Sequence, residues 1–97
     1  MIRHSVIFNL KHSENSEAEA AFFKAADVLV TIPGVQKFEK LRQVSAKNNY
    51  AFGFSMEFAD QAAFDVYNGH PDHTAFVQGR WIPEVTKFLE IDYVALA

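Results

Sequence analysis

Seven consecutive residues, Tyr67-Asn68-Gly69-His70-Pro71-Asp72-His73, bring together side chains able to hold or move a proton. Histidine titrates near neutral pH and can both take and give a proton. A tyrosine hydroxyl donates a hydrogen bond to a carbonyl oxygen. Paired, the two suit removal of a proton beside a carbonyl, with the phenol stabilising the enolate. A blander reading stands beside it: the same residues form a satisfied core network with no reaction, since structural networks also perturb titration.

Helical phase decides which of them turn inward. Asp60 is a good N-cap for a helix through Phe64 and Tyr67, which Asn68-Gly69 ends. Pro71 starts a second helical piece that reaches Ile82, just before Pro83. If Phe64 faces the core, Tyr67 shares its side, and His73 likewise shares the side of Phe76. On the first strand, Ile2, His4, Val6, Phe8 and Leu10 alternate with Arg3, Ser5, Asn9 and Lys11. His4 therefore points where Val6 and Phe8 point. His4, Tyr67 and His73 converge on an aromatic interior, as a satisfied network or as the floor of a pocket. Phe22, Phe23, Phe52 and Phe54 would wall such a pocket and keep out water.

Other candidates read as structural. His70, before Pro71, suits a turn or cap. A metal held by His70 and His73 lacks a third convergent ligand, so no metal site is assigned. His12 falls in a loop and reads as a surface residue. Trp81 reads as packing at a sheet edge or a dimer interface. Asp92 and Tyr93 close the last strand and read as core or assembly residues.

The elements that position these residues follow from patterning. Ser16 with Glu19 forms a capping-box pattern. It opens an amphipathic helix of about four turns with Phe22, Ala26 and Leu29 on one stripe, and Pro33-Gly34 stops it. Val35–Val44 reads as a charged edge strand, and 46–49 as a turn. Tyr50, Phe52, Phe54, Met56 and Phe58 alternate with small residues in the clearest strand of the chain. Thr86–Val94 is the last strand. Strand, helix, strand, strand, helix, strand is the split βαβ, ferredoxin-like α+β plan: an antiparallel sheet with helices on one face. The open face carries Ile7, Leu89 and Ile91 beside Ala51, Gly53 and Ser55. It is too apolar to leave in water, so a second copy laid sheet to sheet is expected.

Composition narrows the class. The 97 residues make one domain, 1–97. Ten phenylalanines need a dense core, a ligand pocket or an interface. Net charge is −3 and no long Lys/Arg run occurs, which argues against nucleic acid. Without cysteine there is no disulfide or thiolate chemistry. Apolar runs are too short to span a bilayer. The N-terminus enters a strand without a signal-like apolar block, so a cytoplasmic location is expected.

Four pieces in order carry a family resemblance: Ile2-Arg3-His4, Ile32-Pro33-Gly34-Val35, Tyr67-x-x-His70-Pro71-x-His73 and Asp92-Tyr93. Together they resemble the stress-responsive dimeric α/β-barrel family over essentially the whole chain. The resemblance implies a ferredoxin-like protomer that pairs into a barrel-like homodimer. Its plant members include boiling-stable stress proteins without an established reaction, and a cofactor-free polyketide cyclase that performs an intramolecular aldol condensation. By that resemblance His73 is the general base, Tyr67 orients the substrate carbonyl or the histidine, and His4 lies near the pocket. Phe22 and Phe23 are retained, whereas Phe52 and Ala26 stand where that cyclase carries a histidine and a tyrosine. The substrate walls therefore differ. The first expectation is a cofactor-free cyclase or lyase acting on a small apolar carbonyl compound. The second is a non-enzymatic stress or assembly protein. A third, by fold analogy alone, is a cofactor-free monooxygenase or a haem-degrading enzyme.

Overall fold

Strand β1 (Ile2–Leu10) is the spine of the protein, hydrogen-bonded on both sides. A computed structural model describes all residues, Met1–Ala97. Helix α1 (Glu17–Ala25) follows, then a 3-10 turn over Ala26–Thr31, β2 (Gln36–Arg42) and β3 (Phe52–Phe58). Helices α2 (Gln61–Gly69) and α3 (Pro71–Phe76) come next. A π-turn (Val77–Trp81) and the short α4 (Ile82–Glu84) lead into β4 (Val85–Tyr93). The sheet is antiparallel with order β2-β3-β1-β4, the ferredoxin-like arrangement the patterning predicts. No helix is long and apolar enough to cross a membrane.

Local signals act where expected, with informative departures. The Ser16 hydroxyl accepts from the Glu19 amide at 3.2 Å, while the Glu19 carboxylate accepts from the Asn15 amide. Helix α1 is shorter than the predicted four turns, because its last part tightens into the 3-10 turn. Gly34, at φ +91°, then reverses the chain, a conformation in which a side chain is strained. Its α-carbon also sits close under α2, where an added Cβ would come 3.3 Å from that of Ala63. The helical path does not stop before Pro83 but runs on to Glu84. The preceding π-turn, closed by the Ile82 amide on the Val77 carbonyl, widens the helix. This relaxes the clash a proline ring makes with the carbonyl four residues back.

The core lies between the sheet and the helices. Phe8 is fully buried and touches the rings of Phe22, Phe23, Phe52, Phe54 and Trp81 at centroid distances of 4.9–6.1 Å. Burial of one such ring contributes about 1.5–3 kcal/mol. The helices cover β1 and β3 but not β4: the helix-side residues of β4, paired with β1, are Phe88, Glu90 and Asp92, and all remain partly open. The opposite face is uncovered. Ile7 lies across from both Gly53 and Leu89, and Ser5 from Ile91. Leu41, Leu89 and Tyr93 on this side are 43%, 48% and 53% exposed.

Candidate functional site

Three elements aim polar side chains at one place. Helix α2 is capped by Asp60, whose carboxylate accepts from the Ala63 amide at 2.9 Å. That start sets the phase, and Phe64 and Tyr67 both end up buried. His70 separates α2 from α3: its Nδ1 accepts from the Asp72 amide at 3.1 Å, and Pro71 fills the first helical position. This is the capping role expected of His70. With α3 started there, His73 and Phe76 turn inward, and the His73 ring lies 4.5 Å from that of Tyr67. His4 on β1 completes the group, 5.9 Å from Tyr67 and 5.0 Å from Phe64.

These residues line a cavity of about 360 Å³ between β1, β3, β4 and the α3–α4 segment. Its walls are mainly apolar, with Phe54 and Met56 from β3 and Trp81 from the π-turn. Ile82 and Phe88 line it too and are 66% and 56% exposed, so the mouth opens on the β4 side.

Of the residues picked from the sequence, His4, Tyr67, His73 and Phe54 border the cavity. Phe22, Phe23 and Phe52 do not. Phe22 is sealed in the core against Phe8 and Phe76. Phe23 and Phe52 pack on each other at 5.0 Å and face a separate hollow beside Arg42. Sequence alternation placed all of these on the inner side but could not say which end of the core stays open. Trp81 packs over Phe8 at 4.9 Å and against Phe88 of the edge strand β4 at 5.6 Å, the sheet-edge packing expected of it, and from there it also forms part of the cavity wall. His12 is no free surface residue: its Nε2 lies 2.6 Å from Glu84, which Arg80 also approaches at 2.9 Å.

Two carboxylates were missed. Asp92 lies directly across from His4, and its Oδ1 is 2.6 Å from His4 Nδ1. Glu90, one step back on the same face, is 3.7 Å from that nitrogen and lines the cavity. The signal was present in the alternation of β4, but only cross-strand register shows which residue faces His4. His4, Glu90 and Asp92 offer three ligand atoms within 4.8 Å, a donor set a divalent cation accepts.

Environment sets the proton chemistry. Burial, joined by repulsion from His4, holds His73 below the ordinary 6.5, against an opposing backbone contact at Asn68. At neutral pH the ring is therefore an unprotonated base. Burial, with the Glu90 charge adding to it, pushes the Tyr67 phenol well above 10, so it remains a donor. Burial and the neighbouring Asp92 carboxylate raise Glu90, partly offset by His4. Tyr67 is 3% exposed, and its hydroxyl hydrogen-bonds to no protein group. It is nonetheless not sealed off, since the only fully enclosed side-chain atom without a well-aligned hydrogen bond is Arg80 Nε, which has its ion-pair contact to Glu84. The hydroxyl therefore opens on the cavity.

Residues 2–95 match the Stress responsive A/B Barrel Domain family. A family protein with a ferredoxin-like fold from Mesorhizobium loti is 61% identical, covering 99% of this chain and 97% of that one, with a TM-score of 0.96. Two enzymes share the fold at lower identity. Hydroxynitrile lyase from Passiflora edulis is 15% identical over 98% of this chain and 93% of its own, with a TM-score of 0.84. A cofactor-independent oxygenase from Streptomyces nogalater is 16% identical over 97% and 91%, with a TM-score of 0.71. Other proteins of this fold are described as dimeric and of unknown function. No curated protein matches the chain.

Proposed function

The chain belongs to the stress-responsive A/B barrel domain family, and from that premise we propose that it is a homodimer whose cavity performs cofactor-free proton transfer on a small apolar carbonyl compound. One observation carries the reading: Tyr67 presents an unpaired hydroxyl, and His73 a ring kept unprotonated by burial, to the same apolar cavity. A core network would have paired the Tyr67 hydroxyl. A chain built only for assembly had no need to leave space there.

The chemistry follows from those two groups. A C–H proton beside the substrate carbonyl passes to His73. The bonding pair moves into the carbonyl, whose oxygen becomes an enolate and accepts a hydrogen bond from Tyr67. In an aldol step the enolate carbon bonds to a second carbonyl carbon, and the oxygen formed there takes the proton back. Atoms and charge balance with no oxidant or metal. Phe54, Met56 and Trp81 hold the apolar part of the substrate. A lyase and an oxygenase share the fold, and at that identity choose neither reaction for this chain.

Dimerisation is part of the same proposal. The uncovered sheet face with Ile7, Leu41, Leu89 and Ile91 suits a second copy, and relatives of this fold are described as dimeric.

The test uses acetophenone, an apolar methyl ketone, and follows deuterium entering its methyl group in D2O by NMR. The wild-type protein should speed the exchange. His73→Ala and Tyr67→Phe should each slow it by about 10²-fold or more, with the fold kept. Wild-type rates in both variants would end this reading.

A further inference from the structure

The cavity has a second ring nitrogen that the reaction above leaves idle. His4 is 7% exposed and lines the cavity. Its Nδ1 is engaged by Asp92 at 2.6 Å, with Glu90 at 3.7 Å. Its other nitrogen, Nε2, hydrogen-bonds to no protein group, yet is not among the enclosed unpaired atoms. In a residue so buried, the opening left to that nitrogen is the cavity.

We propose that His4 is a second proton-transfer residue of this cavity and that Asp92 is the residue positioning it. A carboxylate only accepts hydrogen bonds, so Asp92 at 2.6 Å requires the proton on Nδ1. In the neutral ring that leaves Nε2 bare, as a proton acceptor directed at bound substrate. Asp92 also fixes the ring plane. The register makes this geometry durable: His4 and Asp92 are direct cross-strand partners, so no loop motion separates them.

Glu90 has a matching place. It borders the cavity yet is half exposed. Neither Glu90 nor Asp92 has a Lys or Arg partner; His4 is the group both carboxylates approach. A proton arriving on His4 Nε2 is balanced by Asp92, and Glu90 connects the group to solvent at the mouth. The inference rests on the proton-transfer reading above, and it assigns His4 and His73 to the two ends of one transfer. The substrate proton taken by His73 passes to the bare Nε2 of His4, which gives it to the oxygen formed, so both rings end the turnover as they began.

The experiment has two arms that fail separately. The first needs no substrate: the four histidine rings are observed by long-range ¹H–¹⁵N NMR. His4 should carry its proton on Nδ1, strongly deshielded, with Nε2 showing the shift of a bare ring nitrogen. Asp92→Ala should mix the two tautomers, and Asp92→Glu should restore the original. A proton on Nε2, or a spectrum unchanged in Asp92→Ala, overturns the proposal. A stoichiometric metal ion on the isolated protein, whose removal by EDTA makes the Nδ1 proton appear, overturns it as well, because the cluster would then be a cation site.

The second arm is acetophenone exchange. His4→Gln should lower the maximal rate at least 10-fold, and Asp92→Ala should lower it with KM unchanged. The double variant should be no slower than His4→Gln, as expected if Asp92 acts through His4. Additive losses overturn the positioning role. If the wild type exchanges nothing while the His4 tautomer is as described, the reaction proposed above fails and the positioning of His4 by Asp92 stands.

Discussion

Replacing Tyr67 with phenylalanine separates a working site from a core network, because the two make opposite predictions for stability. The ring packs on Phe58 at 5.1 Å and on His73 at 4.5 Å, and phenylalanine preserves both contacts. Only the hydroxyl is lost. A buried hydroxyl without a partner costs roughly 1–3 kcal/mol. Water entering a cavity of about 360 Å³ offsets much of that cost. The net expectation is that Tyr67→Phe lies between neutral and about 1 kcal/mol more stable than wild type. For a domain of this size, 1 kcal/mol raises the thermal midpoint by about 4–8 °C. Thermal and urea unfolding should be compared at one fixed protein concentration, since dimerisation shifts apparent stability by mass action. Activity should move the other way, falling about 10²-fold. A loss of stability greater than about 1 kcal/mol would falsify the argument, because it would mean the hydroxyl donates to a core partner.

Other perturbations test other parts of the account. Phe8→Ala removes a fully buried ring in contact with five others and should cost about 3–5 kcal/mol in denaturant unfolding. Leu89→Asp puts a charge on the uncovered sheet face opposite Ile7; light scattering at micromolar concentration should then report a monomer where wild type reports a dimer. His73 is held below 6.5 in the folded protein, so below pH 6.5 the unfolded chain binds more protons and stability falls until the folded ring also titrates. His73→Asn should remove that part of the acid-side slope. The same depression keeps the base available below the usual histidine range. Because Tyr67 stays protonated above pH 10, the exchange rate should hold a plateau across neutral pH and fall only on either side.

Period-two alternation and helix signals alone reach the order of elements, because they are local. The Ser16 and Asp60 caps, the turn at Pro33-Gly34 and the alternating faces of β1 and β3 depend on neighbours a few residues apart. The same local logic turns Tyr67 and His73 inward, since each shares a helical side with a buried phenylalanine. Helix irregularity was less legible. The π-turn before Pro83, which carries Trp81 into the cavity wall, depends on how the segment packs over Phe8.

Long-range relations belonged to the tertiary structure. Residues 4 and 92 meet because β1 and β4 pair in one register and no other; a shift by a single residue would send Asp92 to the opposite face. Which phenylalanines seal the core and which border open space depends on how far the helices extend over the sheet. They cover Phe22 and leave β4 bare. The residues at 67–73 were evident from the sequence as a tyrosine and two histidines at helical spacing. That Tyr67 keeps an unpaired hydroxyl and that Asp92 stands behind His4 required the fold, because each depends on distances between segments that the chain brings together only when it closes.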